Sequence, residues 1–158
     1  MNTEKKTYLA VVGAGSASTE ICELAEAVGK EAALRGWIVL TGGLGGVMKA
    51  AAKGACEAGG LTLGILPGED GHQANRYMTV AVATNMHHAR NAIIAHTADA
   101  LIAVDGEYGT LSEVALGLKL GKPVVGLRIQ WKVPGLFVAK DPKEAVNRVA
   151  ELLESKRG

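Results

Sequence analysis

Apolar residues along the chain fall into two alternating kinds of segment. TYLAVVG is a short β-rich run closing on glycine, and ASTEICELAEAVGKEAALRG behind it carries Ile21, Leu24, Ala25, Val28 and Ala32 at helical spacing. Gly36 after Arg35 marks a helix stop, and WIVLT reads as the next buried strand. GGLGG leads into the helical VMKAAAKGACEAGG, LTLGILP supplies a third strand, and PGEDGHQANRY is a polar loop rich in glycine, proline and asparagine. Beyond it TVAVAT reads as strand, NMHHARNAIIAHTA as helix, DALIAVD as strand, TLSEVALGLKLG as helix and PVVGLR as strand. The remainder predicts a short edge strand near LFVA and a last amphipathic helix starting near Asp141 and Pro142, with Asp as cap and Pro at the first helical position.

Short continuous apolar strands separated by helices belong to parallel sheets buried on both faces. The pattern therefore predicts a doubly wound α/β domain, a mostly parallel sheet with helices on both faces. A length of 158 residues, 48% of them hydrophobic, fits a single domain over 1–158, with 1–6 and 155–158 as frayed ends. The formal net charge of +1, with no Lys/Arg run longer than two, provides no field for nucleic acid or a membrane surface. Aromatic residues at 4% leave few platforms for stacking single-stranded bases. Cys22 and Cys56 stand in alanine-rich helical patterns, which predicts buried free thiols and a reducing cytoplasm rather than a disulfide or a metal site. The apolar run near the N-terminus is too short for a signal sequence or a membrane span.

In an open α/β sheet, ligands bind beyond the carboxyl ends of the strands, where helix N-termini present unpaired N–H groups. Three glycine loops are predicted there. GAGSAS, with Gly13, Gly15 and Ser16, lacks the third glycine of a dinucleotide fingerprint, and no acidic residue closes the second strand. TGGLGG, with Gly42, Gly43, Gly45 and Gly46, permits close backbone approach to an anion, or equally a tight turn packed on a neighbour; without a following Lys-Ser/Thr it is not a Walker A loop. The third is VDGEYGTLSE, with Gly106, Gly109 and Thr110. Thr110 and Glu113 form T-x-x-E, which reads as a capping box. Arg90 lies one helix and one strand before Glu113, a spacing that brings both to one edge of the sheet, so Glu113 could serve chemistry as well as capping.

TGGLGGVMKAAAKGACEAGG, MHHARNAII and DGEYGTLSEVALGLKLGKPVV, in this order and separation, resemble the LOG-like proteins, a family with an older lysine-decarboxylase label whose characterised enzymes are nucleoside 5′-monophosphate phosphoribohydrolases. The likeness covers residues 8 to 127, and LGLKLGKPVV is most similar to a shorter branch that includes molybdenum cofactor carrier proteins. The resemblance implies a Rossmann-like fold, a nucleotide-like ligand whose phosphate sits between the glycine loops, and a homo-oligomer, dimer or tetramer. It also implies Arg90 and Glu113 as the catalytic pair of the hydrolases, with no cofactor and no metal. Asp105, Gly106 and Glu107 stand where the enzymes carry Pro-Gly-Gly. A carboxylate at a helix start competes with a phosphate for the same N–H groups.

Two function classes follow. One is a hydrolase that cleaves an N-glycosidic bond, with Glu113 stabilising positive charge on the sugar or activating water and the permanently charged Arg90 orienting it or holding phosphate or ribose. The other is a non-catalytic carrier or sensor of a nucleotide-like or pterin ligand. A Schiff-base lysine is not picked out by any pattern, and single-strand DNA binding is opposed by charge and aromatic content. His87 and His88 point about 100° apart on a helix, which favours a ligand-facing or capping role over chelation. Tyr108 is a pocket wall or helix-start packing.

Overall fold

The computed structural model describes residues 4–157. Seven strands and five helices alternate as β1 (Tyr8–Gly13), α1 (Thr19–Leu34), β2 (Ile38–Thr41), α2 (Val47–Glu57), β3 (Thr62–Leu66), β4 (Val80–Ala83), α3 (Arg90–Thr97), β5 (Ala100–Val104), α4 (Tyr108–Lys119), β6 (Val124–Leu127), β7 (Phe137–Ala139) and α5 (Pro142–Arg157). Short 3-10 turns at Gly71–Gln73 and His87–Ala89 flank β4. The strands form one sheet in the order β4-β3-β2-β1-β5-β6-β7, and every pair is parallel. The doubly wound α/β class read from the sequence is the one observed.

Each central strand feeds two cores because successive side chains leave opposite faces. Leu9 and Val11 of β1, with Ile102 and Val104 of β5, pack under α1, α2 and α5; Ala10 and Val12, with Leu101 and Ala103, pack under α3 and α4. Helices α1 and α2 touch through glycine. A Cβ on Gly29 would strike the backbone of Ala51, and one on Gly54 the backbone of Glu26, so the small-residue stripe of α2 is used inside the chain. Gly117 of α4 plays the same part against Leu101 and Val124 of the sheet.

Three local expectations change. Strand β4 was expected to be buried like its neighbours, but all four of its residues are exposed. The β3–β4 connection contains only a 3-10 turn, and the next helix crosses back to β5, so no α-helix of this connection covers β4. Cys56 is exposed, whereas Cys22 is partly covered and packs on the α1 side of the core. At the C-terminus the helix continues through 155–157 instead of ending in a frayed segment there, and 1–3 and 158 lie outside the described residues.

Candidate functional site

The chain winds from β1 outward to β4 and then returns to β5 on the other side of β1, which opens a crevice at the carboxyl edge of the central strands. Arg90, the first residue of α3, spans this edge. Its Nη1 donates to the Ile65 carbonyl of β3 at 2.9 Å, and its guanidinium lies so close to Gly42 that a Cβ there would collide with it. Glu113, one turn into α4, faces Arg90 without closing an ion pair. Burial pushes the Glu113 carboxyl up to about 7, with the Arg90 charge pulling part of the way back. Burial likewise lowers Arg90, and Glu113 opposes that shift. The two charges are near enough to act on each other, and no ion pair joins them among the described residues.

The capping box does not form. Helix α4 begins at Tyr108 with Glu107 as its cap residue, so Thr110 is already inside the first turn and Glu113 lies a turn deeper. Thr110 is buried, its side chain packed beneath Gly106 (φ 106°). Glu113 therefore has no capping duty. Sequence spacing could not separate the two readings, because T-x-x-E is also one helical turn of an ordinary helix.

Neither carboxylate of the acidic loop takes up the N–H groups of the helix start. Glu107 makes no side-chain bond to the helix, and Asp105 (φ 51°) accepts none from it either. Helices α1 and α5 are capped by Ser18 and Asp141, whose side chains accept from the N–H of Ile21 at 3.3 Å and of Glu144 at 2.8 Å. Helices α2 and α4 have no side-chain cap, and both begin at the carboxyl edge. Unpaired N–H groups with the positive end of the helix dipole favour an anion.

The remaining predicted glycines divide by what their missing Cβ would meet. Gly13 would strike the Val104 carbonyl and Val47; Gly43 (φ 78°) would strike Leu66; Gly46 (φ 59°) would strike Ala14; and Gly45 would lie 3.0 Å from the Gly15 carbonyl. Gly43, Gly45 and Gly46 thus lie in a turn packed on its neighbours, Gly13 ends β1 against the start of α2, and the Val47 N–H is taken by the Ala14 carbonyl at 3.0 Å. Gly15 has only Met48 nearby, and Ser16 is exposed beside it. Gly109 stands apart, with open space where its Cβ would be. Tyr108 is 87% exposed, so in this structure it neither packs on the helix start nor walls a pocket, and His87 and His88 are exposed in the turn before Arg90.

Three contributors carried no readable signal. Met48 places its sulfur against Gly42, beside Arg90. Trp131 donates its indole N–H to the Gly106 carbonyl at 3.2 Å and steadies the acidic loop. Asn75 ties the β3–β4 loop to the TGGLGG turn. Trp131 and Asn75 act across a long sequence separation from segments without periodicity, and Met48 stands in a helical segment whose period does not say which loop the side chain reaches. A groove of about 880 Å³ lies elsewhere between α1, β7 and the start of α5; both charge signs line it, and no glycine loop reaches it.

The chain belongs to the SLOG cluster 4 family, whose model matches residues 6–154. It is 46% identical over 143 residues to an uncharacterised Archaeoglobus fulgidus protein, covering 90% of this chain and 94% of that one. Among solved structures it is similar to the molybdenum cofactor binding protein of Rippkaea orientalis, with a TM-score of 0.87 and 34% identity over 99% of this chain and 100% of that one. The Moco carrier protein of Chlamydomonas reinhardtii is comparably similar, with a TM-score of 0.87 and 37% identity over 96% and 99% of the two chains. A cytokinin riboside 5′-monophosphate phosphoribohydrolase of Mycobacterium marinum is 36% identical over 98 residues, which span 60% of this chain and 52% of that enzyme. Among the described residues, no helix is long and apolar enough to cross a membrane.

Proposed function

We propose that this protein is a carrier for a phosphorylated small molecule with a nucleotide-like or pterin-type ring, molybdenum cofactor being the representative ligand. The observation that carries the reading is Gly109. Glycine in the first turn of a helix weakens it, and no neighbour in the chain requires one here. The open space above Gly109 suits the close approach of a phosphate to the uncapped start of α4, with Arg90 supplying charge. Asp105 and Glu107, free of helix contacts, are available to accept hydrogen bonds from ring N–H groups. The end-to-end similarity to carrier proteins supports the same assignment.

The test is transfer. Protein incubated with molybdenum cofactor should retain it through gel filtration and deliver it to a cofactor-free molybdoenzyme, and Gly109→Val should lose retention while staying folded. Retention no better than that of an unrelated protein would overturn the reading.

A second reading, N-glycosidic hydrolysis of a nucleoside 5′-monophosphate, is favoured by the Glu113 carboxyl near 7 facing Arg90 across a gap. Its ionised form could stabilise positive charge on the sugar or activate water. Free base should appear from AMP, GMP or CMP, faster as pH rises through 7, and Glu113→Gln should abolish release. Monophosphates left intact would rule it out. The homo-oligomer expected from the family resemblance has a candidate surface in β4, whose Val80 and Val82 are exposed on an uncharged edge strand.

A further inference from the structure

The polar loop between β3 and β4 is bound closely to the glycine turn of β2–α2. The Asn75 N–H donates to the Gly43 carbonyl at 2.9 Å, and its Nδ2 donates to the Leu44 carbonyl at 2.9 Å and to that of Gly43 at 3.3 Å. Asn75 Oδ1 accepts from the Tyr77 N–H at 3.0 Å, and the Tyr77 carbonyl accepts from the Thr62 hydroxyl at 2.5 Å. Between these anchors Arg76 lies on the Tyr77 ring, its guanidinium carbon 4.8 Å from the centroid, and its Nη2 donates to the phenol oxygen at 2.6 Å. A cation and an aromatic face are thus held at a set position beside the glycine turn.

They form one wall of a groove of about 480 Å³ whose other walls include Ser16, Lys49, Lys53 and Glu26. Lys53 is already paired, with Glu26 at 2.8 Å and Glu57 at 3.5 Å. Among the described residues, Lys49 and Arg76 form no salt bridge, although the Glu57 carboxylate lies near enough to act on the Arg76 charge. Two like charges brought into one groove from separate elements are stabilised by an anion between them, and a guanidinium suits phosphate oxygens in particular. Gly15, Ser16 and Gly46, already assigned to the cleft from sequence, also line this groove. Met48 is the partition, with its methyl end near Gly15 and its sulfur near Gly42, where Arg90 rests.

We infer that this groove is a second anion subsite adjoining the cleft, fitted to the diphosphate of a dinucleotide-type ligand whose ring and first phosphate occupy the cleft. The inference rests on the cleft being a phosphate-ligand site. Lys49 and Arg76 hold the outer phosphate, Ser16 offers a hydroxyl, and the Tyr77 face borders the distal ring.

Two probes test it on the whole protein. In a ¹⁵N NMR titration, inorganic pyrophosphate should shift the amides of Ser16, Lys49, Arg76 and Tyr77, and Lys49→Ala/Arg76→Ala should lose that response; both side chains are exposed, so the fold should survive. By fluorescence, FAD should bind at least about tenfold more tightly than FMN, and the double variant should remove that advantage while FMN affinity stays unchanged. If FAD binds no better than FMN and pyrophosphate leaves the groove amides unmoved, the subsite is overturned, while FMN binding that is lost in Gly109→Val leaves the cleft reading standing. If neither flavin nor phosphate shifts residues 106–110, the cleft reading falls and the subsite with it.

Discussion

At the scale of single residues, the glycines around the crevice separate structural need from functional opportunity. Gly42, Gly43 and Gly46 are required because Arg90, Leu66 and Ala14 occupy the space a side chain would take. Gly109 is required by nothing in the chain, so Gly109→Ala should stabilise the fold by about 0.5–1 kcal/mol while weakening ligand retention. Opposed changes in thermal midpoint and retention would identify a position kept for binding. Glu113 makes a second prediction. Its carboxyl is raised from an ordinary value of 4.5 to about 7, so between these pH values the folded state holds more protons than the unfolded state. Stability should then fall as pH rises through that window and level off above it. In Glu113→Gln that slope should be absent and the protein should be more stable than wild type at pH 8, as read from thermal midpoints at pH 5 and pH 8. A wild-type midpoint that rises across the same interval would show that Glu113 is better solvated than its position implies.

At the scale of elements, caps and contacts distinguish helices built for the fold from those that face the crevice. The reading of Asp141 and Pro142 as the start of the last helix holds, and there the Glu144 carboxylate also accepts from the Lys140 N–H at 2.6 Å. A T-x-x-E motif promised the same for α4, but the helix starts two residues earlier, with Thr110 packed under Gly106 and no side chain capping its start. The T-x-x-E spacing is met equally inside a helix, so it cannot tell on which residue the helix starts. The small-residue stripes of α2 and α4 were compatible with subunit packing, but they are filled by α1 and the sheet. Gly54→Val should therefore destabilise the monomer by about 1–3 kcal/mol through backbone overlap with α1, measurable in urea. Association, if it uses the exposed β4 edge, should respond instead to Val82→Lys, with a smaller species in light scattering and little change in monomer stability. An unchanged mass would move the interface elsewhere.

At the scale of the molecule, the two helix layers and the reversal of strand order at β1 place the glycine loops that follow β1, β2 and β5 at one edge of the sheet. Ligand binding there should couple to folding of the whole domain. Saturation at a hundred times the dissociation constant would add about 2.7 kcal/mol, or roughly 5–10 °C in thermal midpoint for a chain of this size. Molybdenum cofactor or its pterin portion should produce such a shift in wild type and not in Gly109→Val. The alternation of apolar runs with 3.6-period segments determined the α/β class by itself, because strands buried on both faces and helices buried on one leave different periodic traces. Arg90 and Glu113 were also legible, as residue types at a spacing that one helix and one strand account for. Tertiary structure alone decided that Trp131 and Asn75 hold the loops, that β4 is exposed, and which glycines the chain needs for itself. Those outcomes depend on contacts between residues far apart in sequence, where burial and steric exclusion act and where no local period records them.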